Sequence, residues 1–200
     1  MRERQKLCLK GDMTIRMAGR ELELGAFADG VEFFADELKR LEWIRIHTPH
    51  FMTVENRTSW LRLKTPDAAL FYLGGYCVRS QRDFLKKVRR DNPKLVFWHF
   101  GDIDAGGFYI HEHLCRVTGI LFRLYRMSRK ELEDPHFQSC LRPLTQQDRI
   151  RLKSLEKQEL YRDSVMCMLE KNRKLEQEII SFYGTENESM EEYFIYSCGQ

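Results

Sequence analysis

The stretch Lys94-Leu-Val-Phe-Trp-His-Phe-Gly-Asp-Ile-Asp-Ala-Gly-Gly107 decides how the rest of the chain is read. Its apolar run, 95–100, predicts a buried strand. Asp102 and Asp104 follow one residue apart, so in extended backbone they point to the same side. In open α/β sheets, ligands and chemistry gather at the C-terminal ends of strands. Two carboxylates there suit a hard divalent cation such as Mg²⁺. Gly106 and Gly107 would let backbone approach a phosphate at the start of the next helix.

On either side of this strand the sequence alternates strand and helix. Residues 43–46 and 51–55 read as strands, and a helix or loop begins at Asn56. Residues 68–73 form a second core strand that stops at Gly74 and Gly75. Ser80 can cap a basic helix that runs to Asp91 and ends at Asn92-Pro93. After the 95–100 strand, 107–118 is helical and closes at Gly119, and 120–125 is a further strand. The pattern implies an α/β fold: a parallel, Rossmann-like four-stranded core sheet flanked by helices and joined by right-handed crossovers.

Upstream, 6–9 and 13–17 read as a short antiparallel hairpin with a Gly-Asp turn, and 21–24 as a third strand. Residues 30–41 have helical spacing, with Phe33, Leu38 and Leu41 toward the core. Downstream, 133–139 is a loop. Thr145 caps a helix with Asp148 at its third position. A charged helical region then continues to about Tyr183, its stripe built from Leu152, Leu155, Leu160, Val165, Leu169, Leu175 and Ile179. Gly184 ends it, and 193–196 is apolar enough to dock. The expected organisation is a β-rich extension over 1–45, the α/β unit with its C-terminal helices over 46–184, and a tail over 185–200.

At 200 residues with 42% hydrophobic content, the chain can bury a sizeable core. No run approaches the ~18 apolar residues of a membrane span, and the first residues lack the apolar segment of a signal peptide. A cytoplasmic location is therefore expected. The cysteines at 8, 77, 115, 140, 167 and 198 form no CxxC pair, which argues for reduced thiols rather than a zinc site or disulfide framework. The net charge of +3 decides little. Basic clusters at 86–90, 123–130 and 149–153 could track a phosphate backbone, although each is more simply a solvated helix face.

A third acid sharpens the Asp102/Asp104 signal. Glu55 ends the 51–55 strand as the aspartates end theirs, and in a doubly wound sheet two such strand ends share one crevice. Three converging carboxylates would make an oxygen-ligand site for Mg²⁺, whose chemistry is phosphodiester hydrolysis or transesterification. Against this stands a plainer role: Asp102 capping the next helix and Asp104 serving a turn. A haloacid-dehalogenase-like phosphatase is a further alternative. It is disfavoured because its motif opens a domain and continues into Thr or Val, not Ala105-Gly-Gly. Arg57 could contact DNA phosphate or neutralise the acids, and Asn56 could orient Glu55 or cap a helix. Gly74 and Gly75 could admit a DNA backbone or simply make a turn. His99 reads as a satisfied strand histidine, and His111 and His113 are at the wrong spacing for joint ligation.

The combination of Glu55, Asp102 and Asp104 resembles the Toprim domain of topoisomerases, primases and some nucleases. Val54-Glu-Asn-Arg-Thr-Ser-Trp-Leu61, Tyr72-Leu-Gly-Gly-Tyr76, His99-Phe-Gly-Asp-Ile-Asp-Ala-Gly-Gly-Phe-Tyr-Ile110 and Leu175-Glu-Gln-Glu178 are together similar to the C-terminal domain of the JetD family, the Wadjet anti-plasmid nuclease subunits. This resemblance implies a Toprim fold related to the topoisomerase VI A subunit. It also implies Mg²⁺-dependent cleavage of double-stranded DNA, with one or two ions and Mn²⁺ as a substitute. The implied partner is a condensin-like motor complex, and a homodimer is a candidate assembly. The resemblance makes Glu178 a candidate extra acid. Glu176 lies about 200° round a helix from it, so at most one faces the crevice. A non-catalytic Toprim-like module that docks DNA or a partner is the competing function.

Overall fold

A computed structural model describes residues 4–183 and Met190. The elements in chain order are β1 (Lys6–Lys10), β2 (Met13–Met17), β3 (Arg20–Glu23), β4 (Val31–Phe34), β5 (Leu41–Ile46), β6 (His50–Val54), α1 (Arg57–Arg62), β7 (Ala68–Tyr72), α2 (Arg79–Asp91), β8 (Val96–Phe100), α3 (Ala105–Thr118) and β9 (Phe122–Leu124). There follow α4 (Arg129–Glu133), β10 (Arg142–Pro143), α5 (Gln146–Leu155), α6 (Glu159–Lys171), β11 (Arg173–Lys174) and α7 (Gln177–Tyr183).

The central sheet has six strands in the order β4-β1-β7-β6-β8-β9. β7, β6, β8 and β9 run parallel, whereas β1 is antiparallel to both β4 and β7. β6 is buried along its whole length, as expected for a strand with a neighbour on each side and helices on both faces. Alternation divides the core. Met52, Val54, Trp98 and Phe100 pack toward Phe108, Leu152, Val165 and Ile180. Phe51, Phe71, Phe97 and Phe122 pack on the other side with Phe84, Leu85 and Leu114. Among the described residues no helix is long and apolar enough to cross a membrane.

The N-terminal hairpin does not form. β1 joins the central sheet, while β2 pairs with β3 and β5 in a separate three-stranded sheet. The chain crosses between them at Gly11, whose φ of +112° and close approach to the Ala69 main chain require glycine. Residues 30–41 are likewise not an α-helix. Val31 to Phe34 forms edge strand β4, followed by a 3₁₀ turn over Ala35–Arg40. Leu41 is buried and Phe33 and Leu38 pack against the core, so the apolar positions were read correctly and their period was not.

Val78, not Ser80, is the N-cap of α2, and its amide donates to the Gln81 side chain. The 133–139 loop is the end of α4 and a 3₁₀ turn over Pro135–Cys140. The charged C-terminal region is three helices, broken at Glu156 and again at Asn172, which takes a left-handed conformation; Leu160 is exposed. Thr145 does cap α5 with Asp148 in the reciprocal bond. Of the described cysteines, Cys8, Cys77 and Cys167 are buried and all are free thiols. The expected helix end at Gly184, the docking segment 193–196 and Cys198 lie outside the described residues.

Candidate metal-binding crevice

The register places Glu55 beside the aspartate loop. Val54 pairs with Phe100, and the Glu55 amide donates to the Phe100 carbonyl at 3.0 Å. Glu55 and Gly101 are thus neighbours at the C-terminal edge of the sheet, and Asp102 is one residue further on. The Asp102 main chain faces the Glu55 carboxylate and favours its charged form. Its Oε2 is buried without a hydrogen-bond partner. Burial first, then the charges of Asp102 and Asp104, push the Glu55 carboxyl up to about 8.

The aspartate loop is held by a strand-like contact that the sequence did not advertise. Ile103 and Leu175 pair antiparallel, with amide-to-carbonyl distances of 2.8 and 3.2 Å. Ile103 is buried, so Asp102 and Asp104 both turn the other way. Asp102 accepts the Gln177 amide at 2.7 Å. Burial, opposed by this bond and reinforced by Asp104, Glu176 and Glu178, raises Asp102 to about 6. Asp104 is the N-cap of α3, accepting the Gly107 amide at 2.8 Å. The capping aspartate is therefore Asp104 rather than Asp102.

Gln177 was not anticipated, yet it ties three elements together. Fully buried, it accepts the Asn56 amide at 2.8 Å and donates to the Phe100 carbonyl at 3.2 Å. Asn56 caps α1 through Ser59 and donates to Glu178 at 2.9 Å, so Glu178 does face the crevice. Glu176 turns outward to Arg142 at 2.8 Å. Lys174 is a second unanticipated group. Its ammonium lies 2.9 Å from Asp148 and 3.7 Å from Asp104. Burial lowers its pKa, but the Asp148 bond and the charges of Asp104, Asp148 and Glu176 outweigh this and hold it above the ordinary lysine value. The only signal was the Leu175-Glu-Gln-Glu178 motif, which contains Gln177 and directly follows Lys174.

Arg57 does not turn to the acids. Its guanidinium pairs with Glu32 on β4 and lies over the Tyr72 ring. Gly74 and Gly75 follow β7 with positive φ, so they make the turn that leads out of the strand. Gly107 has a structural reason to be glycine: a Cβ there would collide with the Asp102 carbonyl. Gly106 is half-buried beside Asp104 Oδ1. His99 is fully buried, its Nδ1 2.9 Å from the Thr53 hydroxyl and its Nε2 without a hydrogen-bond partner. Burial and then His111 hold it well below the ordinary histidine pKa, hence neutral. His111 bonds Tyr161 and the Phe122 carbonyl, a structural role.

Among the described residues no group of three or more His, Cys, Asp or Glu side chains is drawn together as a ready metal cage. Asp102 and Asp104 each spend an oxygen on a main-chain amide. The donor set nevertheless fits a hard cation. It consists of carboxylate oxygens alone, one of them a buried orphan, and two acids are raised by burial and by the charges of neighbouring carboxylates. Mg²⁺ keeps several waters and needs only one or two protein carboxylates, so no closed cage is required.

The family model for the C-terminal part of the Wadjet protein JetD matches residues 10–189. The Wadjet protein JetD of Bacillus cereus (strain Q1) is 26% identical over 190 residues, covering 88% of this chain and 44% of that protein. The chain thus spans less than half the length of the curated relative it matches.

Proposed function

The chain belongs to the family defined by the C-terminal region of the Wadjet protein JetD, and from that premise we propose that it is a Toprim-type, Mg²⁺-dependent DNA endonuclease domain acting in anti-plasmid defence. The observation that carries this reading is the placement of Glu55 against the Asp102 loop, with an unpartnered buried carboxylate oxygen, at the C-terminal edge of parallel strands.

Asp102 and Asp104 would hold the ion, and Glu55 would either complete its shell or act as general acid–base. When bound, Mg²⁺ supplies Lewis acidity toward a phosphodiester and an activated water; Mn²⁺ would substitute. The protein's own contribution is positioning. Gln177 fixes Asp102, the α3 cap fixes Asp104, and the N-terminus of α3 offers its positive dipole end to a phosphate. Gly74, Gly75 and Gly106 border the same edge and leave room for a DNA backbone. Arg57 reaches a phosphate by exchanging its Glu32 partner for it. The remaining partners would be the other Wadjet subunits, including a condensin-like motor.

One observation favours the second reading, a non-catalytic DNA- or partner-docking module: both aspartates make main-chain hydrogen bonds that hold the loop without any ion. The phosphatase alternative gains nothing further from the site, which offers it only the two aspartates that the nuclease reading already uses. Nicking of supercoiled plasmid with and without Mg²⁺ separates the two main readings. The nuclease reading requires cleavage that depends on Mg²⁺ and is lost, by about 10²-fold or more, in D102N and D104N. Mg²⁺-independent binding of the plasmid with no cleavage, in the longest form of the protein that contains this chain, would support the docking module.

A further inference from the structure

Glu55 and His99 present two unsatisfied atoms to the same small space. Thr53 and Glu55 lie two apart along β6 and its end. His99 and Gly101 lie two apart along β8 and its end, so all four share one face of the sheet. A methyl group added at Gly101 would stand 2.7 Å from Glu55 Oε2 and 2.9 Å from His99 Nε2, with the Met127 methyl next at 3.4 Å. Both polar atoms are buried and neither has a hydrogen-bond partner. They converge on one point without bonding each other, which leaves them no further apart than a single water can span. Buried polar groups are rarely left unmatched, and two orphans facing one glycine are better explained together than apart.

We propose that His99 is a positioning residue for Glu55, acting through one bridging water over the hydrogen face of Gly101. The Thr53 hydroxyl donates to the Trp98 carbonyl at 3.3 Å and therefore accepts from His99 Nδ1 at 2.9 Å. That assigns the proton to Nδ1 and leaves the Nε2 lone pair toward Glu55. The water donates one hydrogen to Nε2 and the other to Glu55 Oε2, which fixes the carboxylate plane and sets its orientation toward the crevice. Gly101 is then required because any side chain would occupy the bridge. This assignment rests on the metal-site reading insofar as the oriented carboxylate serves an ion. It is the same device as an outer-shell partner that orients a ligand.

Two measurements on the full chain test it, neither of which uses DNA cleavage. In metal-free protein, Glu55→Gln should move the ¹⁵N resonance of His99 Nε2 and leave Nδ1 nearly unchanged; an unmoved Nε2 overturns the bridge. This arm needs no substitution at His99 and stands if a His99 variant fails to fold. In calorimetric Mg²⁺ titrations, His99→Asn keeps only the Thr53-facing group and should weaken binding about 10- to 100-fold. His99→Gln places an amide group where Nε2 stood and should recover most of the loss. Native binding in His99→Asn would mean that His99 matters only through Thr53, and equal losses in both variants would mean that the group at Nε2 does not matter; either would overturn the proposal. A chain that cleaves no DNA yet passes both tests keeps the bridge and loses the nuclease reading. One that cleaves DNA with an unmoved Nε2 loses only the bridge.

Discussion

The main-chain amide of Gln177 donates to the Asp102 carboxylate at 2.7 Å, joining residues 75 positions apart in the chain. Through this bond the N-terminus of α7 becomes part of the acidic crevice, and the Gln177 side chain closes the arrangement onto Asn56 and Phe100. The acids therefore depend on the C-terminal segment for their placement as well as on the sheet edge.

Truncating Gln177 should accordingly act on stability and site together. Gln177→Ala leaves the Asn56 amide without its partner and the Phe100 carbonyl with the Glu55 amide alone, at about 1–3 kcal/mol for the unpaired group. Thermal unfolding should show the loss, and Mg²⁺-dependent activity should fall more than stability alone explains at temperatures where the variant is folded. A variant with unchanged melting temperature would contradict the tie.

Asp104 has two separable duties. Asp104→Ala removes the α3 cap and should cost about 1 kcal/mol in unfolding experiments. Asp104→Asn retains a capping oxygen and should be near wild type in stability. Both should be equally defective in Mg²⁺ binding, because the amide cannot supply a charged ligand. Equal stability of the two variants would remove the cap from the account.

The raised acids set a pH dependence with a definite sign. Glu55 ordinarily titrates near 4.5 and Asp102 near 3.8; in the fold they are held at about 8 and about 6. Below their ordinary values both states carry the proton and the stabilising contribution is complete. As pH rises from about 4.5 to about 8 the native chain retains a proton on Glu55 that the unfolded chain releases, so stability falls through that window. Metal-free protein should thus melt lower at pH 8 than at pH 5, and Glu55→Gln should flatten the slope. Mg²⁺ affinity should change the opposite way, rising toward pH 8 as the carboxylates ionise. A pH-independent affinity would contradict shared use of these acids.

Gly107 tests how tightly the loop is drawn. Gly107→Ala would drive a methyl into the Asp102 carbonyl, and the backbone would have to shift. Overpacking of this kind costs about 1–3 kcal/mol. The shift should also displace Asp102 and reduce Mg²⁺ affinity. A fully stable variant with native Mg²⁺ affinity would show that the contact is easily relieved.

Much of the site was legible because it lies where strand periodicity and strand ends are clearest. Glu55 and Asp102 each follow a run of buried β-residues, and parallel pairing of β6 with β8 brings them together. The missed parts lacked such a pattern. Gln177 and Lys174 act through a two-residue strand and a single bridge at Ile103, too short to leave a period in the sequence. The apparent hairpin failed because one glycine turn can also carry a chain from one sheet to another, and only the packing of Gly11 on Ala69 decides which. Val31 to Phe34 suits a helix or an edge strand equally over four residues; the free edge of β1 selected the strand. His99 is a strand histidine as expected but not a satisfied one, and its unbonded nitrogen becomes visible only beside Glu55.

The central claim is that Glu55, Asp102 and Asp104 share one divalent ion. Carboxyl ¹³C resonances of the three residues, followed while Mg²⁺ is added to metal-free protein at pH 8, measure this at the ligands themselves. The account predicts that all three move with a single binding curve, and that Asp102→Asn abolishes the response of the other two. Carboxyl signals that stay still, or that titrate with unrelated midpoints, would contradict it.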